Sequence, residues 1–182
     1  MMLKSYMPQE NGNPIVLPQF TSTNNPGTES ALIQLMESKI ASRNTDGLWI
    51  DACWYGELTI DNTISDNTWS KQVGNWYFDD ARYPNNNMLA FGEWMEQQNK
   101  EFLLWLEPER VYYGTELYNN HKDWLIDSGS ILVSPRTYLF DFSNDEACDY
   151  MIDRISGILS GSKVTWYRQD FNMDPARYWS NK

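Results

Sequence analysis

Residues 87–108 read NMLAFGEWMEQQNKEFLLWLEP. Met88, Phe91 and Met95 recur at helical spacing between about Asn87 and Asn99, and the apolar run Phe102-Leu103-Leu104-Trp105-Leu106 follows and stops at Glu107-Pro108. The first pattern predicts an amphipathic helix. The second is too short for a helix and apolar at successive positions, which predicts a strand buried on both faces. A helix leading through a short join into a buried strand is the repeating unit of a parallel α/β sheet.

The same unit recurs on both sides. Upstream, Leu32, Leu35, Met36 and Ile40 mark one face of a helix from about Thr28 to Ser42, before the short run Leu48-Trp49-Ile50, which ends in Asp51. Downstream, Tyr138-Leu139-Phe140 ends in Asp141. Ser143 and Glu146 have the spacing of a capping box, and the helix they open carries Ala147, Met151, Ile155 and Ile158 up to Gly161. The last strand, Val164 to Gln169, ends in Asp170.

Residues 1–27, rich in Pro, Asn and Gly, read as an extended lead-in, and 28–182 as one α/β domain with about four parallel strands. An open doubly wound sheet and a barrel both satisfy that order. No glycine-rich phosphate loop follows the first strand, which removes the main support for a nucleotide site. The polar stretch from Ala52 to Asn87 is long for a connection and reads as a functional loop.

The net charge of −11 argues against a surface that tracks nucleic-acid phosphates. No stretch is apolar for about 18 residues and no secretion signal is visible, so no membrane partner is expected and a cytoplasmic location is. Cys53 and Cys148 read as free thiols. No Cys/His cluster has zinc spacing, and Asp61, Asp66 and Asn67 lack the rest of a calcium loop, so neither metal nor cofactor is expected. Nine Trp, eleven Tyr and seven Phe are more flat apolar faces than core filling requires, and such faces suit the C–H patches of sugars.

The strands finish in Asp51, Glu107, Asp141 and Asp170. In a parallel barrel the C-terminal strand tips form the floor of the active site, so these carboxylates are expected to converge. Asp141, just before a capped helix, reads better as a residue of the helix start. Alternation puts Trp166, Arg168 and Asp170 on one face. A fixed cation there favours ionised Asp170, as a nucleophile needs; a structural Arg–Asp pair is the other reading.

Trp49-Ile50-Asp51-Ala52-Cys53-Trp54-Tyr55-Gly56 resembles the first barrel strand of melibiase-type α-galactosidases, family thirty-six of the glycoside hydrolases. Gly74-Asn75-Trp76 with Arg82-Tyr83-Pro84, Leu104-Trp105-Leu106-Glu107-Pro108-Glu109-Arg110-Val111, His121-Lys122-Asp123-Trp124, Leu139-Phe140-Asp141-Phe142-Ser143 and Tyr167-Arg168-Gln169-Asp170-Phe171-Asn172 resemble later motifs of that family, in order. The resemblance implies the first half of a (β/α)8 barrel. It implies a retaining α-galactosidase acting on α-galactosides or related oligosaccharides through a covalent glycosyl-enzyme.

By the same resemblance Asp170 is the catalytic nucleophile. Asp51 and Arg168 bind the sugar, Trp105 packs against its ring, and Arg136 matches a sugar-binding arginine one position off the family spacing. Trp76 and Arg110 fall where rim residues are expected. Ala52 replaces a second acid common in the family, and Arg168 replaces the commoner lysine. The family's acid/base lies on a later strand than Asp170. A chain ending at Lys182 is therefore expected to be poorly active alone, and association is expected through exposed barrel edges or, in the full-length enzyme, as a homo-oligomer. A non-catalytic carbohydrate-binding or pseudoenzyme fragment is the alternative.

Overall fold

The computed structural model describes residues 9–10, 13–14, 17–42, 45–57, 69–129 and 137–182. A short antiparallel pair, β1 (Gln9–Glu10) and β2 (Asn13–Pro14), is followed by β3 (Phe20–Thr23), α1 (Glu29–Ser42), β4 (Gly47–Ile50), α2 (Leu89–Gln97) and β5 (Glu101–Leu106). Then come β6 (Arg110–Tyr112), α3 (Glu116–Asn120), β7 (Leu125–Ile126), β8 (Thr137–Phe140), α4 (Asp145–Gly161), β9 (Trp166–Gln169) and α5 (Ala176–Trp179).

Four strands form one parallel sheet in the order β3-β4-β5-β9. The register aligns Phe20, Gly47 and Glu101, and sets Leu103 beside Trp166. Side chains alternate between faces along a strand. Leu48, Ile50, Phe102, Leu104 and Leu106 on one face are fully buried in the core that α1, α2 and α4 also enter through Leu32, Met36, Phe91, Met95, Ala147 and Met151. The other face carries Trp49, Trp105, Trp166 and Arg168, and its register continues to Asp51 and Asp170 just past the strand ends. That face is concave: the rings of Phe20 on β3 and Trp166 on β9, with two strands between them, meet edge-on at 6.1 Å between centroids. Gly47 lies between them, where a Cβ would stand 2.8 Å from the Phe20 ring and 2.3 Å from the Glu101 carbonyl oxygen.

The α/β architecture with four parallel strands is as expected, but one member of the set differs. Tyr138–Phe140 is not a strand of the parallel sheet. It belongs to β8, which pairs antiparallel with β6 and β7 in a separate three-stranded sheet. An apolar run shows that a strand is buried, not which way it runs or what it pairs with. The fourth parallel strand is instead β3, whose sequence Phe-Thr-Ser-Thr lies inside the stretch read as lead-in. An edge strand is paired on one side only and half-exposed, so it lacks the apolar signature of β4 and β5.

The capping box does not form: Asn144, not Ser143, caps α4, accepting from the backbone N–H of Ala147 at 3.2 Å, and the Ser143 N–H donates to Asp141 rather than to Glu146. No helix among the described residues is long and apolar enough to cross a membrane.

Candidate functional site

At the C-terminal ends of β4, β5 and β9 lies a cavity of about 220 Å³ lined by Asn24, Asp51, Ala52, Cys53, Trp69, Trp105, Asp170 and Asn172. The parallel register produces it. Asp51, Trp105 and Asp170 share the concave face at or just beyond the top of adjacent strands, as β4 leads into β5 and β5 into β9. Asp170 is held at the strand end by its own backbone N–H, which donates to the Leu106 carbonyl at 2.9 Å. Asp51 donates its backbone N–H to Thr23, and its Oδ1 accepts from the N–H of Ala52 at 3.0 Å.

The carboxylate of Asp170 is fixed by neutral donors. Trp105 Nε1 donates to Oδ2 at 3.0 Å and Asn172 Nδ2 donates to the same oxygen at 2.9 Å. The indole N–H is the largest influence holding Asp170 below the ordinary carboxylate range; partial burial opposes it, and Asn172, the Phe171 N–H and the Arg168 charge add to it in that order. Arg168 thus works in the expected direction, but as the last of these influences. Its guanidinium lies over the Trp49 ring, 4.6 Å from the centroid. An always-charged planar cation is well suited to such stacking.

Trp105 is 2% exposed and sits in a cluster of rings, stacked on Tyr55 at 6.1 Å and edge-on to Trp69 at 5.7 Å. Trp54 Nε1 donates to its carbonyl at 2.8 Å, fixing the backbone from which the ring projects. Behind the cavity, Glu107 is fully buried: Oε2 accepts from Arg110 Nη2 and Oε1 from the Asn172 backbone N–H at 2.6 Å. Arg110 lies over the Trp69 ring at 5.0 Å. Trp76 and Arg110 are both buried rather than at a rim.

The first-strand tip is strained. Cys53 has φ of 78°, a left-handed conformation that costs a residue bearing a side chain on the order of 1–3 kcal/mol. Arg82 clamps that turn, donating to the Cys53 carbonyl at 2.6 Å, the Gly56 carbonyl at 2.9 Å and Asp79 Oδ2 at 3.2 Å. This is the structural use of the Arg82-Tyr83-Pro84 motif.

Asp51, Trp105 and Asp170 come together as expected, with Arg168 one position down the same strand face. Asp141 does not join them, because β8 belongs to the other sheet; its carboxylate takes an ion pair from Lys182 and hydrogen bonds from Ser143. Arg136 lies outside the described residues. Asn172 and Trp69 went unassigned in the sequence. Asn172 was signalled only as the last residue of the Tyr167–Asn172 motif, with no role attached, and Trp69 arrives from the long loop with no signal of its own. Cys53 and Cys148 are not joined in a disulfide. Among the described residues, no group of three or more His, Cys, Asp or Glu side chains is placed to hold a metal ion.

The melibiase family model matches residues 2–180. α-Galactosidase AgaA of Geobacillus stearothermophilus is 28% identical over 128 residues, covering 68% of this chain and 16% of that protein. The bifunctional α-galactosidase/sucrose kinase AgaSK of Mediterraneibacter gnavus is 27% identical over 143 residues, covering 78% of this chain and 14% of that one. The chain thus spans less than a fifth of the length of these curated relatives. Among solved structures, the galactosidase domain of AgaSK aligns with a TM-score of 0.72 at 22% identity, covering 92% of this chain and 23% of that chain. The family thirty-six α-galactosidase AgaB from Geobacillus stearothermophilus aligns at 0.70 and 22% identity, covering 91% and 24%. The parallel sheet with its helices therefore corresponds to part of the (β/α)8 barrel of these neighbours. With one family model spanning nearly its whole length, the chain belongs to the melibiase family.

Proposed function

We propose that this chain carries the nucleophile side of a retaining α-galactosidase site, with Asp170 as nucleophile. The observation that carries the reading is a carboxylate at a parallel strand end, oriented by the Trp105 indole N–H, which also holds it below the ordinary carboxylate range, in the same cavity as Asp51. A nucleophilic carboxylate must be charged and aimed at the anomeric carbon, and a lowered pKa keeps it charged. Membership of the melibiase family supports the substrate class, as do relatives named α-galactosidases and AgaA variants of Geobacillus stearothermophilus crystallised with raffinose and stachyose.

In this reading the electron pair of Asp170 forms the bond to the anomeric carbon while the bond to the leaving oxygen breaks. A general acid protonates that oxygen, and the same group later activates water to release the sugar. Asp51 accepts hydrogen bonds from sugar hydroxyls, and Trp69 and Trp105 supply apolar surface. No described residue is assigned the acid/base role. Arg168 stacks on Trp49 below the carboxylate and contributes positive charge to the floor. Association belongs to the same proposal: among the described residues no strand lies beyond β9, and Tyr167 on it and Ile152 on α4 are 38% and 54% exposed.

The test is covalent trapping. A fluorinated α-galactosyl fluoride loses fluoride without help from an acid, so adduct formation reads the nucleophile alone. The expected result is one galactosyl adduct on the peptide containing Asp170, lost in Asp170→Asn. Galactoside binding with no adduct would replace this reading with a non-catalytic carbohydrate-binding one.

A further inference from the structure

We propose that Asn172 is a positioning residue for Asp170: anchored through its backbone to the buried Glu107–Arg110 pair, it holds Oδ2 of the carboxylate jointly with the Trp105 indole and leaves Oδ1 to attack. The inference rests on the reading of Asp170 as the nucleophile.

The two oxygens of a free carboxylate are equivalent and exchange by rotation about a soft terminal torsion. Here they are not equivalent, because both side-chain N–H donors address Oδ2, Trp105 at 3.0 Å and Asn172 at 2.9 Å. Each donor is itself fixed. The Trp105 carbonyl is held by Trp54, and its ring is wedged among Tyr55 and Trp69. The Asn172 backbone N–H donates to Glu107 Oε1 at 2.6 Å, and the other oxygen of Glu107 is paired with Arg110. Arg110 in turn lies over Trp69, whose ring meets Trp105 edge-on. The supports of the two donors therefore join behind the carboxylate.

This arrangement gives the buried Glu107–Arg110 pair a use. A buried ion pair is weak evidence for stability, since desolvation offsets most of the attraction between the charges. As an anchor, it fixes where the backbone of Asn172 goes and hence where its amide points. The charged groups around Asp170 are Asp51 across the cavity, Arg168 on its own strand, and Glu107 and Arg110 behind it. Only the neutral amide and indole hydrogen-bond the carboxylate through their side chains.

The chemistry is consistent with the geometry. When Oδ1 forms its bond to the anomeric carbon and the leaving group departs with the old bonding pair, Oδ2 becomes the carbonyl oxygen of the ester. A carbonyl oxygen still accepts both N–H bonds, so neither donor must move during the step. The same bonds lower the basicity of the carboxylate, so orientation is gained at some cost in intrinsic nucleophilicity.

The experiment uses the 182-residue chain with ¹³C-labelled aspartate and ¹⁵N-labelled tryptophan. The Asp170 carboxyl and the Trp105 indole N–H are followed by NMR from neutral to acid pH. Asn172 is exposed, so Asn172→Ala is expected to fold. Its Asp170 pKa should rise, and Trp105→Phe should raise it further. In parallel, labelling by the fluorinated α-galactosyl fluoride should slow by about tenfold at saturating donor, with half-saturation unchanged, as loss of orientation rather than of binding requires. An Asp170 pKa that does not move in Asn172→Ala overturns the proposal. Unchanged labelling at saturation with a shifted pKa also overturns it, since the contact would then not serve attack. Failure of the unsubstituted chain to label at all sinks the nucleophile reading instead, and the NMR titration still decides whether Asn172 holds the carboxylate.

Discussion

Arg82 and Asp170 are the two side chains on which most depends. Arg82 is buried and meets two carbonyls and one carboxylate, so removing it takes a charged donor from Asp79 Oδ2 and from the carbonyls of the strained Cys53 turn. Arg82→Ala should cost about 3 kcal/mol in urea unfolding, and Arg82→Lys should recover only part, because an ammonium lacks the fork that spans three acceptors. Asp170 titrates below the ordinary carboxylate range in the folded chain. Its ionised form therefore favours folding at pH above the unfolded carboxylate value of about 3.9, and that contribution is lost as pH falls through the lower folded value. Adduct formation should accordingly keep its rate into the acid range before falling. Trp105→Phe removes the leading cause of the shift and should move that acid limb to higher pH, which a pH series of labelling rates would read. Asp170 stood out in the sequence as an acid at a strand end with an arginine on the same face. The dominance of Trp105 over Arg168 did not, because a hydrogen bond across two strands depends on their register.

Helix α2 shows how elements are fixed by neighbours distant in sequence. Its N-cap residue, Met88, has no side chain that can cap, and the local help is Asn87 Oδ1 accepting from the Leu89 N–H at 2.9 Å. The Phe91 N–H donates to Glu29 at the start of α1, and the Met88 N–H donates to Ser162 just after α4. At Gly92 a Cβ would stand 2.1 Å from the Ser162 carbonyl oxygen, so the two helices approach through a missing side chain. Gly92→Ala must push them apart and should cost about 2 kcal/mol. Gly157→Ala, inside α4 with open space around it, should instead gain about 0.5–1 kcal/mol from helix propensity. Thermal or denaturant unfolding of the pair separates close packing from propensity. Helical periodicity made α1, α2 and α4 legible. It said nothing of β8's direction, which is set by the return of the chain through β6 and its pairing of Arg110 with Leu139.

At the scale of the whole molecule, the curved sheet has one well-covered face and two edges with no strand beyond them among the described residues, β3 and β9, of which β9 carries the exposed Tyr167. Unpaired edges with exposed apolar neighbours favour association. Pro108, Phe142, Met151, Ile152, Ile155 and Tyr167 line a groove of about 440 Å³ beside the β9 edge. Ile152→Lys places a charge on that surface at little cost to folding, since the side chain is 54% exposed. Sedimentation should show less self-association in that variant at equal concentration, with unfolding unchanged within about 0.5 kcal/mol.

The sequence by itself determined the α/β class, three of the four parallel strands, the helix faces and the acids at strand ends, because burial writes apolar runs and periodicity directly into local residue order. Its motifs pointed to the melibiase family. Tertiary structure decided that Phe20–Thr23 is the fourth strand and that Asp141 stands apart. It also decided that two donors converge on one oxygen of Asp170. Each of these depends on strand pairing, register or a contact between residues far apart in the chain, and no local pattern encodes the partner.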